Sequence, residues 1–237
     1  INGTTGYEEA GALGLMAAVN AVLLLQNKEP FVLGRDQAYI GVMVDDLLTR
    51  QIDEPYRMFT SRAEYRLTLR SDNADRRLTP LGRKLGLADD FRWNAYSTKQ
   101  QQINQLTNYL QTTRTGGRSL WEQAKQPGHP LAEDLANDES LRQMNLPQQV
   151  MAAALIAAKY EGYLARQHRQ IDKFRGLENV RLPDRLDYHQ VPHLRYEAKE
   201  KLTAYRPFTL GQASRIGGIT PADIAVIQIY LKKNVSH

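Results

Sequence analysis

Helix start and stop signals recur along the whole sequence, and no run of alternating apolar and polar residues competes with them, so the fold they impose is mainly α. Thr4 or Thr5 can cap a first helix running to about Gln26, with Glu8 and Glu9 in the turn where the helix dipole favours acids. Small residues at Ala10, Gly14, Ala17, Ala18 and Ala21 predict close packing of that helix on several sides. Asp36–Leu48 reads as a second helix with Ile40, Val44 and Leu47 on one face. In "TSRAEYRLTLR" the pair Ser61 and Glu64 makes a capping box, which predicts a short helix. In "TPLGRKLG" Thr79 is the expected cap, Pro80 the first helical residue and Gly86 the terminator.

A longer helix is expected from about Asp90 to Gln111, with Trp93, Tyr96, Ile103, Leu106 and Leu110 as its apolar stripe. Residues 112–149, with Gly116-Gly117 and Pro127-Gly128, are the least periodic and read as a linker. Another long helix begins near Val150, and "FTLGQASRIGGITPADIAVIQIYLKK" closes the chain. No strand pairs and no solenoid repeat are expected.

Composition narrows the chemistry. The 237 residues contain no Cys, which removes disulfides, zinc-thiolate sites and cysteine nucleophiles from this chain. The longest apolar run, Ala12–Leu25, is interrupted by Asn20 and falls short of the ~20 residues that span a bilayer, so a soluble, cytoplasmic protein without a membrane role is expected. His189 and His193 are separated by Pro192, and Asp45 and Asp46 are adjacent and so diverge on a helix. Neither pair predicts a metal or acid–base site, and no catalytic constellation is visible.

The net charge is +5, and its placement is informative. Between Tyr56 and Lys84 eight basic residues face three acids, which leaves equal numbers of each sign in the rest of the chain. Arg62, Arg66 and Arg70 would line one face of the predicted short helix, with Arg57 just before it and Tyr56, Phe59 and Tyr65 interleaved. Guanidinium groups take phosphate oxygens two at a time and aromatic rings stack on unpaired bases, so the stretch reads as a nucleic-acid contact; the alternative is a solvated face paired with nearby acids. The opening "NGTTG" (Asn2, Gly3, Thr4, Thr5) presents backbone N–H groups at a helix start and suits a phosphate, or is an ordinary cap. "GITPADI" has the spacing of a helix-turn-helix, but the helix after it carries one acid and no base before Lys232, and Ile224, Ile227 and Leu231 read as core or protein interface.

Six stretches give the sequence a resemblance to the C-terminal part of the MnmG (GidA) family of tRNA-modifying flavoproteins. They are "INGTTGYEEA", "QAYIGVMVDDL", "EPYRMFTSRAEYRLTLRSDNADRRLTPLGRKLGL", "KYEGYLARQ", "LDYHQV" and "LGQASRIGGITPADIAVIQIYLKK". The resemblance implies that residues 1–50 are closing helices of a larger Rossmann-type FAD-binding domain, with Asn2, Gly3, Thr4 and Thr5 near the flavin. It implies that 51–149 form a basic tRNA-contacting region, with Arg57 and Arg66 as RNA-binding residues, to which the charge pattern adds Arg62 and Arg70. It further implies that 150–237 form a helical module for a GTPase partner, MnmE, and for tRNA, with Ile224, Ile227 and Leu231 as partner contacts.

By the same resemblance the whole protein is a homodimer that modifies carbon 5 of the wobble uridine using FAD, NADH and methylene-tetrahydrofolate. This chain would be a catalytically silent portion of it. The competing expectation is a free-standing helical nucleic-acid-binding module with no redox role. The absence of a Met at position 1 and the flavin-type helix at the front favour the former.

Overall fold

The computed structural model describes residues 4, 6–49, 54–126 and 138–234. They build ten α-helices, three 3₁₀ turns and one two-stranded ladder. The chain divides into two compact units, residues 1–64 with 168–237 and residues 65–167. The first and last parts of the chain share a unit, beside the three consecutive segments expected from the sequence.

In the first unit α1 is Tyr7–Leu25 and α2 is Tyr39–Thr49. Gly6 is the N-cap of α1 and makes no side-chain cap, so the Thr4 or Thr5 cap expected there does not form at residue 4, and Thr5 lies outside the described residues. Asn20 explains its own presence in an apolar run. Its amide donates to the carbonyls of Met16 and Phe31 at 3.0 Å each and accepts the Phe31 N–H at 2.7 Å, which ties the following loop to the helix. Of α1's side chains only Glu9 is buried, contrary to the packing on several sides predicted from its small residues. Among the described residues α1 is the one helix long and apolar enough, by length and composition, to cross a membrane.

Helix α2 buries Val42, Met43, Asp46 and Thr49 rather than the expected Ile40, Val44 and Leu47 face, because Asp46 turns inward to a buried arginine. Later in this unit come a 3₁₀ turn at Tyr188–Gln190 and helices α8 (Tyr196–Tyr205), α9 (Leu210–Arg215) and α10 (Pro221–Asn234). They close around Val191, Ala198, Leu202, Leu210, Ala213 and Ile227. Arg206, at φ +43°, ends α8 in the left-handed region.

In the second unit α3 is Ala74–Lys84, α4 is Asp90–Thr112, α5 is Leu120–Ala124 and α6 is Glu139–Met144. Helix α3 starts well before Thr79 and holds Pro80 inside it. Its early turns are braced from the side chains, Arg77 on Asn73 at 2.9 Å and Lys99 on Asp75 at 2.7 Å. Gly86 ends it as expected, at φ +77° with the Leu87 N–H returning to Gly82.

Asp89 caps α4 through the Arg92 N–H. Strands β1 (Arg114–Thr115) and β2 (Arg118–Ser119) pair antiparallel across Gly116-Gly117, both at positive φ. That hairpin, and the capping box of Ser119 and Glu122 after it, occupy part of the expected linker. Leu106, Leu110, Trp121, Val150, Ala154 and Ala158 form this unit's core. The longest helix, α7 (Gln148–Glu178), has residues in both units.

Candidate nucleic-acid interface

The basic stretch is not helical. It forms a 3₁₀ turn at Thr60–Arg62 and a second turn over residues 65–69, so Arg62, Arg66 and Arg70 do not share a helix face. The capping box between Ser61 and Glu64 does not form, because Glu64 is taken by Arg35 at 2.9 Å. Arg62 lies in the first unit and Arg66 in the second.

In the first unit the stretch is anchored to a buried hub. Arg35 donates to Asp45 at 2.9 Å, to Asp46 at 2.7 Å, and to the carbonyls of Val42 and Arg62. The two adjacent acids of α2 thus converge on one guanidinium instead of diverging, and Asp46 is fully buried. Hydrogen bonds to Glu64 and Asp46 outweigh burial and hold Arg35 protonated. Arg215 closes the far side on Asp45 at 2.7 Å and on Glu178. The buried Tyr56 donates to Asp46 at 3.0 Å. Burial foremost, with that carboxylate beside it, raises the phenol above its ordinary range and keeps it a donor.

Arg62 belongs to this scaffold. Its guanidinium lies 4.6 Å from the centre of the Tyr56 ring, and its Nε donates to the Arg57 carbonyl at 2.9 Å. Arg57 does not: its side chain is 56% exposed and its ion pair among the described residues is with Glu9, at 3.4 Å.

In the second unit the turn at 65–69 is tucked in by the buried Tyr65 and Leu69 and pinned by Gln167. The Gln167 amide oxygen accepts the Thr68 N–H at 2.9 Å and its hydroxyl at 2.6 Å. Arg70 is held in place. It grips Asp72 through two bonds of 2.9 and 3.1 Å and donates to the Leu67 carbonyl at 2.6 Å. The same bonds hold the Asp72 carboxyl below its usual range. Arg66 is exposed and has no polar partner among the described residues. Arg76 and Lys84 of α3 are exposed too, whereas Arg77 and Arg83 brace backbone carbonyls.

Of the four arginines predicted to bind RNA, two are structural and two are available. Arg35 was not singled out by sequence, and its one signal was a cation near the Asp45-Asp46 pair.

The anion seat expected at the opening segment rests mostly on residues outside the described ones. Asn2, Gly3 and Thr5 lie outside the described residues, and Thr4 forms an isolated bridge with Tyr56. The N-terminal turn of α1 is already occupied by Glu9. Its carboxylate accepts the Met58 N–H at 3.0 Å and is held below its usual range mainly by that bond. It also crowds Gly6, where any Cβ would collide with it. A cleft of about 480 Å³ beside it is lined by Glu8, Glu9, Tyr39, Met43, Arg57 and Met58. This cleft sets two carboxylates beside one guanidinium, and none of its lining residues is among those expected near the flavin.

Ile224, Ile227 and Leu231, expected as core or partner contacts, are buried in the α8–α10 core and hold the module together. The exposed apolar side chains there are Tyr196, Phe208 and Ile229. Among the described residues no group of three or more His, Cys, Asp or Glu could hold a metal ion.

Three family models match the chain. The tRNA modifying enzyme MnmG/GidA C-terminal helical bundle matches residues 170–237 and the MnmG/GidA C-terminal helical domain matches 90–168. The model for glucose inhibited division protein A matches 1–29. A relative from Syntrophotalea carbinolica, the tRNA uridine 5-carboxymethylaminomethyl modification enzyme MnmG, is 46% identical over 99% of this chain and 40% of its own length. The same enzyme of Alkaliphilus oremlandii is 44% identical over 98% of this chain and 40% of its own. The chain thus spans about two fifths of the length of these relatives. Aquifex aeolicus GidA, solved in two crystal forms, is 40% identical and covers 97% of this chain with TM-scores of 0.78 and 0.79.

Proposed function

The chain belongs to the MnmG/GidA family, matching its C-terminal helical domains, and from that premise we propose that it is the tRNA-docking part of an enzyme that modifies carbon 5 of the wobble uridine. The observation that carries this reading is the division of labour among the arginines. Arg35, Arg62, Arg70 and Arg215 are held by carboxylates and carbonyls, while Arg66 is exposed without a polar partner among the described residues and Arg57, 56% exposed, meets Glu9 at 3.4 Å, in a stretch holding the chain's whole excess of positive charge. Exposed arginines of this kind neutralise phosphates without reading sequence.

The chemistry is supplied elsewhere in this reading. FAD with NADH performs the redox step, a methylene-tetrahydrofolate gives the carbon, and the chain by itself is inert. The complete enzyme acts in the cytoplasm as a homodimer with the GTPase MnmE. Phe208 and Ile229 replace the buried isoleucines as candidate contacts for that partner.

Binding of unmodified tRNA by this chain, titrated across salt, tests the proposal. Arg57→Ala with Arg66→Ala should weaken binding about tenfold at moderate salt and make the salt slope shallower by roughly one to two. An unchanged affinity and slope would remove both residues from the interface, and no binding by the unaltered chain would sink the docking role.

A further inference from the structure

Helix α7 changes character midway. Val150, Ala154 and Ala158 enter the core, and then Lys159–Tyr163 are five consecutive exposed residues. Two of them are tyrosines one turn apart, Tyr160 at 37% and Tyr163 at 58% exposure, with ring centres 6.4 Å apart. An exposed pair of large rings on the bare side of a helix contributes little to folding. Its surroundings are specific. The Arg70 guanidinium, fixed by Asp72 and the Leu67 carbonyl, lies 5.5 Å from the centre of the Tyr160 ring. Gln167, two turns along the same face, pins the arginine-bearing turn through Thr68.

Unpaired charge around the rings is positive. Lys159 and Arg166 flank Tyr163 at i−4 and i+3, on the same side of the helix, and with Arg66 they have no polar partner among the described residues. The nearby acids are engaged: Glu161 accepts the Trp121 indole N–H at 3.2 Å and pairs with Lys125, while Asp72 holds Arg70. Flat π faces among unpaired cations, with no free carboxylate, complement a polyanion whose bases are unstacked. A regular RNA duplex offers phosphates to the cations but no base face to the rings.

We infer that Tyr160 and Tyr163 form a stacking platform for unpaired RNA bases, with Lys159, Arg166 and Arg66 taking the adjoining phosphates. The inference rests on the reading of the chain as an RNA-docking part and adds to it the single-stranded character of what is held.

The test uses the 237-residue chain and two synthetic RNAs of equal phosphate number, a hairpin with an unpaired loop and a blunt duplex, with affinities read by fluorescence anisotropy. Stacking on an aromatic is worth enough per base that Tyr160→Ala with Tyr163→Ala should weaken hairpin binding about tenfold or more. The salt slope and duplex affinity should stay as they were. Tyr160→Phe with Tyr163→Phe should stay within about twofold of the unaltered chain, because the ring faces remain. Should the double alanine variant lose its helical circular dichroism, Tyr163→Ala alone carries the measurement.

Hairpin binding by the unaltered chain that survives the alanines overturns this inference and leaves the docking role standing. Equal loss on both RNAs, or loss of a self-association with no change in RNA affinity, also overturns it, the latter by making the patch an interface between copies. Failure of the unaltered chain to bind either RNA overturns both readings.

Discussion

An arginine's role in this protein is decided by the carboxylate or carbonyl within its reach, and the same rule identifies a residue whose removal should register in stability. Asp223 at the start of α10 is 2% exposed. It accepts Arg195 Nε at 2.9 Å and Nη2 at 2.5 Å, and the Thr220 N–H and hydroxyl at 2.8 and 2.7 Å. Arg195 foremost, then the Thr220 bonds, hold its carboxyl well below the ordinary value of 3.8 against the opposing effect of burial. A carboxyl depressed in the fold stabilises it fully above the unfolded value and loses that contribution as pH falls below about 4 toward its folded value. Asp223→Asn should therefore cost about 2 kcal/mol at neutral pH, through the weakened cap and charged hydrogen bonds. The gap to the unaltered protein should narrow in acid. Urea unfolding at neutral pH and near pH 3 checks this, and a gap that is absent at neutrality or constant into acid would refute it.

Among the elements, two glycines in helices make opposite predictions. A methyl on Gly41 in α2 would overlap the backbone carbonyls of Leu33 and Gly34, whereas one on Gly176 in α7 would meet nothing within 4 Å. Gly41→Ala should lose about 1–3 kcal/mol by overpacking despite its better helix propensity, and Gly176→Ala should gain about 0.5–1 kcal/mol. Equal effects in denaturant titrations would refute the assigned close approach.

The same contrast between local and distant causes explains what the sequence made legible. Helix α4 was readable because its cap, Asp89, and its buried Leu106 and Leu110 are all local signals. The stretch at 60–70 was misread as a capped helix because Glu64 is engaged by Arg35, 29 residues away. The inward turn of Asp46 changed the face of α2 in the same way. Arg57 and Arg66 stood out by charge concentration alone. The structural roles of Arg62 and Arg70 did not, since Arg62's needs a folded Tyr56 beneath it and Arg70's needs the turn that brings Asp72 and Leu67 together.

For the chain as a whole, the uneven burial of α1 has a measurable consequence. Leu15, Val22 and Leu25 fall on one side of that helix, together with Gly11 and Ala18, and are 45%, 52% and 85% exposed. Tyr7 and Leu24 add further apolar surface at 95% and 75%. Contiguous exposed apolar surface on this scale is unusual for a protein alone in water and binds whatever apolar surface or dye it meets. The buried cores around Leu202 and Leu106 offer no such surface, and other exposed apolar side chains such as Phe208 and Ile229 add to that of α1, so a large share of the chain's apolar reactivity should trace to α1. The 237-residue chain is accordingly expected to enhance the fluorescence of an anilinonaphthalene sulfonate dye severalfold and to sediment with a concentration-dependent mass. Leu15→Glu with Val22→Glu should cut both effects while leaving the helical circular dichroism unchanged, because neither side chain is buried in the fold. Dye binding that persists at the original level in this variant would show that the apolar surface lies elsewhere.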